Sequence, residues 1–262
     1  MTMLRTVLAT RYITPLREGG SLPAVMEADD GVSYVVKFAG AGQGVRALIA
    51  EVVAGEIART LGLRVPELVF VELEEEIGRN EPDPEIRDLL RASVGLNLGM
   101  AYLPSAFAYN QLLKPPPDPE LASNIVWFDA FVTNVDRTPR NVNLLIWQDE
   151  LWLIDHGAAL YFHYDWQNYL ERSKTPFSMI KQHTLLRFAE DVPAADARLR
   201  PLLTGEELRR IAGLVPDLWL GDEAQFDGPA AHRAAYVDYL LTRLHESERF
   251  VQEAVNARTT LL

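Results

Sequence analysis

Three residues in one short stretch have the types and spacing for phosphate chemistry: Asp136, Asn141 five residues on, and Asp155, the first residue of Asp155-His-Gly157. Between the last two, Leu144–Trp147 and Leu151–Ile154 read as strands around a turn at Gln148-Asp149-Glu150. With Asp149 at the tip, Asn141 lies eight residues before it and Asp155 six after it, so both leave the open end of one antiparallel ribbon. Opposed residues in such a ribbon are about 4.5–5.5 Å apart, close enough for their side-chain oxygens to share a cation. An amide oxygen and a carboxylate suit a hard ion such as Mg²⁺, which keeps some waters and takes further oxygens from substrate phosphates. Asp136 is then left to accept a hydroxyl proton. A base, metal-binding oxygens and a cation for the phosphates are the parts that phosphoryl transfer requires. Lys37 can supply that cation, with a helical carboxylate to hold it.

The elements that must position these groups can be read from periodicity. Two alternating segments flank Asp29-Asp30-Gly31, a hairpin signal. In the second, Val32, Tyr34, Val36 and Phe38 share one face, so Lys37 points to the other. The glycine-rich stretch Gly40–Gly44 reads as a mobile connector into a helix carrying Leu48, Val52, Ile57 and Leu61, which ends at Gly62. Leu68–Leu73 reads as a strand, Glu74–Glu76 with Glu81-Pro-Asp-Pro as a solvated loop, and Gly95–Leu103 as another strand, with a lobe junction at Pro104. After the breaker Pro115-Pro-Pro-Asp-Pro119, residues 120–134 fit a buried helix that delivers Asp136. Beyond Asp165 the pattern is mostly helical, most clearly at Glu206–Leu214 and Ala234–Ala254.

Composition narrows the chemistry. The chain has 262 residues, with 25 Lys plus Arg against 37 Asp plus Glu, a formal charge of −12 that argues against a nucleic-acid surface. The absence of cysteine excludes disulfides, Cys-ligated zinc, iron–sulfur clusters and thiol catalysis. The five histidines show no HExxH spacing, and no serine occupies a G-x-S-x-G elbow. No apolar run is long enough for a signal peptide or membrane helix, so a soluble, cytoplasmic protein without membrane contacts is expected.

The motif Asn134-Val-Asp136-Arg-Thr-Pro-Arg140-Asn141, followed by Asp155-x-Gly157, resembles the Asp-x-x-x-x-Asn and Asp-x-Gly elements of the protein-kinase-like superfamily, and is most similar to those of HipA-like kinases. In that family an Asn two residues before the catalytic Asp and a Lys or Arg before the metal-binding Asn are common; Asn134 and Arg140 fill those places. Tyr34-Val-Val-Lys37 resembles the ATP-lysine strand, Glu51 through Leu61-Gly62-Leu63-Arg-Val-Pro66 the family's helix and its exit, and Gly19-Gly20-Ser21-Leu-Pro23 its phosphate loop. The resemblance implies ATP and Mg²⁺ as cofactors, Asp136 as base, Asn141 and Asp155 as metal ligands, and Lys37 with Arg140 as the catalytic cations. It implies Glu51, rather than Glu56, as the partner of Lys37, Gly19, Gly20 and Ser21 at the phosphates, and backbone groups of Met100, Ala101 and Leu103 at adenine. Ser21 is also a candidate regulatory phosphosite. The chain departs from the family in having Thr138-Pro139 where His is frequent, His156 where many kinases have Phe, and no Ala-Pro-Glu after the metal motif. The length leaves little room for the extra N-terminal subdomain of full-length HipA, so a separate partner protein is expected to supply targeting, in a toxin–antitoxin setting.

The resulting expectation is an α+β, two-lobed protein-kinase-like fold: an antiparallel-sheet N-terminal ATP-binding lobe over residues 1–103 and a mainly helical C-terminal catalytic lobe over 104–262. The reaction expected is transfer of the γ-phosphate to a hydroxyl, Ser or Thr of a protein. A silent ATP-binding pseudokinase acting through a partner, a small-molecule or lipid kinase, and a Rossmann oxidoreductase are the alternatives. The last is disfavoured because Val45 stands where G-x-G-x-x-G needs its third glycine. Taken alone, Asp136 to Asn141 is also consistent with an ordinary capped turn; its pairing with Asp155-His-Gly157 carries the reading.

Overall fold

The computed structural model describes residues 4–16, 22–79, 81–221 and 223–261; Gly19, Gly20 and Ser21 lie outside the described residues. The chain forms two compact units, Met1–Ile49 with Pro66–Ser105, and Ala50–Val65 with Ala106–Leu262.

In the first unit β1 (Thr6–Pro15), β2 (Ala24–Ala28), β3 (Ser33–Lys37), β4 (Leu68–Leu73) and β5 (Gly95–Ala101) close into a barrel in the order β1-β2-β3-β5-β4. The β2–β3 turn forms as the sequence predicts: Gly31 adopts φ +76°, and Asp30 Oδ1 accepts a hydrogen bond from Val32 N at 3.0 Å. Tyr34, Val36 and Phe38 point into the barrel core with Met26, Val69 and Val71, which leaves Lys37 on the opposite face.

The expected antiparallel sheet is instead mixed and closed. Thr6, Val7 and Leu8 pair in parallel with Phe70, Val71 and Glu72, whereas the rest of β1 pairs antiparallel with β2. Two register shifts, between Ala9 and Arg11 and between Tyr12 and Thr14, bend β1 so that one strand serves both neighbours. Closure removes the exposed edges that an open sheet would present.

Gly99 on β5 is what lets the barrel close tightly. A Cβ there would lie 2.6 Å from Val71 Cγ2 and 3.0 Å from Val69 Cγ2, both of them buried. Gly99→Ala is therefore expected to destabilise the protein by about 1–3 kcal/mol through overpacking. A lower urea midpoint would show it; an unchanged midpoint would contradict the packing argument.

The stretch that follows the expected solvated loop, to which the sequence pattern assigns no element, forms α2 (Pro84–Ala92), separated by β4 from the longer α1 (Gly44–Thr60). Asp83 caps α2 by accepting from Glu85 N at 3.0 Å, Pro84 supplies its first turn, and Ile86 and Leu90 bury its inner face. The flanking acids and prolines masked that short apolar repeat. The end of α2 also holds the glycine-rich connector expected to be mobile. Gly40 N donates to Ser93 Oγ at 3.1 Å and Ala39 N to Asn97 Oδ1 at 2.9 Å, while Gly40 packs so close that a Cβ would meet the Ala92 backbone at 2.6 Å.

The second unit takes the part of α1 from Ala50 onward. Gly62, at φ +76°, ends that helix; Thr60 Oγ1 just before it donates to Glu207 Oε1 at 2.9 Å, and in the strap after it Arg64 O accepts from Leu153 N at 2.8 Å. A small sheet of β6 (Phe107–Ala108), β7 (Leu144–Trp147) and β8 (Glu150–Leu153) lies in the order β6-β7-β8. The remainder is helical: α3 (Pro119–Phe131), α4 (Tyr169–Ser173), α5 (Val192–Leu199), α6 (Gly205–Ala212), α7 (Gly228–His245) and α8 (Ser247–Thr259). The single pattern over 234–254 is two helices, because buried positions continue on both sides of the break at Glu246.

Helix α3 is the central element of this unit. Asp118 caps it by accepting from Leu121 N at 2.9 Å, and Trp127 and Phe131 pack on Phe250 of α8 with ring centroids 5.8 and 6.3 Å apart. Its C-terminal carbonyls are met by a buried guanidinium: Arg243 of α7 donates to the carbonyls of Ala130 and Phe131, and also to those of Ser173 and Thr175. A cation at a helix C-terminus answers both the orphan carbonyls and the dipole. No helix among the described residues is long and apolar enough to cross a membrane.

Candidate active site

The residue that leaves α3 sets the geometry of the loop behind it. Thr133 adopts φ +53°, a left-handed conformation that costs a β-branched residue about 1–2 kcal/mol. The chain then turns on Asn134, whose Oδ1 accepts from Asp136 N at 3.1 Å and whose Nδ2 donates to Asp129 Oδ1 at 2.9 Å. Asp136 is thereby hung from the buried end of α3. Thr138 N closes the loop by donating to the carbonyls of Asp136 and Asn141, each at 2.9 Å.

Asn141 Nδ2 donates to Asp136 Oδ2 at 2.7 Å, so the two motif residues meet directly. Asp136 is half-buried, and its carboxyl is raised from the ordinary range. Burial is the larger cause, the negative charge of Asp155 adds to it, and the amide of Asn141 opposes it.

The ribbon works as anticipated with one adjustment. The turn is the pair Gln148-Asp149, at φ +51° and +61°, the positive values a two-residue hairpin turn requires. Glu150 therefore pairs with Trp147 rather than lying in the turn. Leu144 opposes Leu153, Ile154 N donates to Asn143 O at 3.1 Å, and Asn141 and Asp155 follow from the open end. Asn143 and Asp155 are both left-handed, at φ +47° and +54°. Such strain collects where the surroundings impose a functional geometry.

What imposes it is a buried network that sequence reasoning left without a role. Arg137, fully buried, donates from Nε to Asp129 Oδ2 at 2.6 Å and from Nη1 to the carbonyls of Asn143 and Ile154, one at each strand end. His183 Nε2 lies 2.8 Å from the same Asp129 oxygen. Burial alone would raise the Asp129 carboxyl, but the charge of Arg137 and the bond to His183 overcome it and hold the group far below the carboxylate range. Arg137 was visible inside the motif; His183, distant in sequence, carried no signal.

Glu51 is fully buried. Its Oε1 accepts from Gly157 N at 2.9 Å and its Oε2 lies 3.5 Å from His156 Nδ1. The α1 carboxylate thus grips the Asp155-His-Gly157 loop, while His156, buried edge-on to Phe128 at 5.7 Å, fills the place of an aromatic. Glu56 instead lies 3.4 Å from Arg59, its carboxyl raised by burial. Arg140 is exposed beside Asn141.

In the first unit Lys37 of β3 stands opposite Leu98 of β5, with Val35 opposite Met100 and Tyr34 opposite Ala101. Ala101 N already donates to Glu67 O at 2.8 Å and Tyr102 N to Ser33 O at 2.9 Å. The backbone of half-buried Leu103, by contrast, has no hydrogen-bond partner among the described residues.

No cluster of three or more His, Asp or Glu suited to a metal occurs among the described residues. The side-chain oxygens of Asn141 and Asp155, with no thiol or imidazole beside them, fit a hard cation that completes its shell from phosphates and water.

Comparison with known proteins bears on the fold and the family. The solved structures that resemble the chain include the proinflammatory kinase CtkA of Helicobacter pylori, at 13% identity with both chains covered in full and a TM-score of 0.56. The Golgi casein kinase, solved with Mn and ADP bound, is similar at 11% identity and a TM-score of 0.54 over 100% of this chain and 75% of that one. At these identities the likeness is one of fold, a mixed α+β kinase-like one. No curated protein matches the sequence. The model of the HipA-like kinase family matches residues 10–254, nearly the whole chain, and the chain belongs to that family.

Proposed function

We propose that the protein is a two-lobed kinase, residues 1–103 and 104–262, which transfers the γ-phosphate of ATP to a Ser or Thr hydroxyl of a protein in the presence of Mg²⁺. The observation that carries this reading is the 2.7 Å contact of Asn141 with Asp136 under the charge of Asp155, held by Arg137 at the ends of one hairpin. In the reaction the acceptor oxygen attacks the γ-phosphorus, the bond to the bridging oxygen of ADP breaks, and the hydroxyl proton passes to the Asp136 carboxylate. Asn141 and Asp155 would hold Mg²⁺, which when bound neutralises charge on the phosphate oxygens. Lys37 and Arg140 supply the fixed positive charge, Leu103 offers its free backbone to the adenine edge, and Glu51 keeps the Asp155 loop in place. The Mn and ADP of the Golgi casein kinase support the use of a nucleotide and a divalent ion. A cytoplasmic location and a separate protein partner complete the proposal.

The test is transfer of label from γ-labelled ATP, with Mg²⁺, by the wild type and by Asp155→Ala. Loss of about 10²-fold or more in the variant is expected, since a metal ligand contributes several kcal/mol of charge stabilisation. Equal turnover would refute the site. Stabilisation by ATP without any turnover would identify a pseudokinase, and label confined to small molecules would overturn the protein acceptor.

A further inference from the structure

Beside the Asp136–Asn141 loop, and within the same unit, lies a cavity of about 670 Å³. Thr138, Pro139 and Arg140 form one wall; the other is the segment carrying Lys181, His183 and Arg187. Its charge is anomalous. In a chain of net charge −12 this lining contains three full cations and, among the described residues, no carboxylate. Many arginines elsewhere are answered by acids: Arg5 pairs with Asp30 and Glu67, and Arg11, Arg64, Arg210 and Arg249 each with one. Arg140, Lys181 and Arg187 are exposed and have no carboxylate in ion-pair contact among the described residues. Clustered like charges repel one another, and such an arrangement is favourable only when an anion arrives.

The cavity is also built on the framework of the active site. His183 bonds Asp129, the residue that anchors both Arg137 and Asn134. Thr184 N donates to Arg137 O at 3.0 Å, and Gln111 Nε2 secures Thr184 O at 2.7 Å. The basic wall and Asp136 are therefore referenced to one buried carboxylate. An occupant seated here is held in register with the proposed base, without touching it.

We propose that this cavity is the acceptor-docking subsite and that it takes an acidic peptide segment flanking the hydroxyl to be phosphorylated. The inference rests on the phosphotransferase reading above. Three cations spread over two chain segments suit side-chain carboxylates spaced along a peptide. A single compact phosphate would call for a backbone N–H nest or a converging arginine fork. The apolar surfaces of Pro139 and Leu261 on the same lining offer contact to the peptide's carbon chain.

The test compares a fluorescein-labelled, serine-containing peptide rich in Glu and Asp with the same peptide carrying Gln and Asn. Both are titrated into the wild-type chain and into a Lys181→Glu/Arg187→Glu variant, whose sites are exposed and whose fold is checked by its thermal midpoint. The wild type is expected to bind the acidic peptide about tenfold or more tightly than the amide version, with the preference shrinking as salt rises. The double charge reversal should abolish the preference, and Lys181→Arg/Arg187→Lys should keep it. In turnover assays the charge reversal should raise KM for the acidic peptide with kcat little changed, and leave the amide peptide unaffected. Equal binding of the two peptides by the wild type, or an undiminished preference in the charge-reversed variant, overturns the inference. Displacement of the peptide by an unrelated oligonucleotide at equal charge would overturn its assignment to a peptide. Binding preference without transfer from ATP would refute the kinase reading and leave the docking site standing; transfer without preference would do the reverse.

Discussion

Asp136→Asn is expected to lower kcat for phosphoryl transfer by about 10²–10⁴-fold, the range a positioned general base contributes, while ATP still binds. The substitution keeps the shape of the side chain and the possibility of a hydrogen bond to Asn141, which now lies 2.7 Å away. It removes the lone pair that takes the hydroxyl proton and the charge that raises the cost of bringing Asp155 close. Because the lost interaction belongs to the transition state, KM for ATP should move far less than kcat. Folding should not suffer, since the carboxyl is half-buried beside another carboxylate and relief of that repulsion is stabilising if anything. Steady-state kinetics with γ-labelled ATP, beside thermal shifts on adding nucleotide, would check both halves. A variant that retains the wild-type rate would remove Asp136 from the role of base.

The separation between what sequence could tell and what it could not is physical. The Asp136, Asn141 and Asp155 constellation was legible because a hairpin is a local object: two-residue alternation and a turn fix which residues leave its open end. Resemblance singled out Glu51 as a partner for Lys37, not for its grip on Gly157; that grip joins residues far apart in the chain, and helical periodicity alone treats Glu51 as one more acid on α1. The same limit hid the barrel. Nothing in Thr6–Pro15 states that its first residues will pair in parallel with β4, because closure depends on two bulges and on the missing side chain of Gly99. His183 and Asp129 read as ordinary polar residues, and only tertiary packing makes Asp129 the shared partner of Arg137 and His183.

That shared partner yields the largest expected effect on stability. Asp129→Asn leaves Arg137 buried with its charge uncompensated, and loss of one member of a buried pair costs about 3–5 kcal/mol. The pH dependence follows from the depressed carboxyl of Asp129. A group whose pKa is lower in the folded protein than in the unfolded chain stabilises fully above the unfolded value, about 3.9, and loses that contribution as pH falls toward the folded value. The gap between wild type and Asp129→Asn should therefore be widest near neutrality and narrow in acid, as urea midpoints measured across that range would record. Replacing both members, Asp129→Leu/Arg137→Leu, should recover much of the stability, because two apolar side chains carry no desolvation cost. It should not recover activity. The guanidinium of Arg137 reaches the carbonyls of both Asn143 and Ile154, and without it the strand ends that aim Asn141 and Asp155 keep the bond from Ile154 N to Asn143 O but lose their tie to Asp129 and α3. A variant as stable as the wild type near neutral pH with Asp129→Asn alone would disprove the charged pair, and a double-leucine variant with full kcat would show that the tie is dispensable to the site.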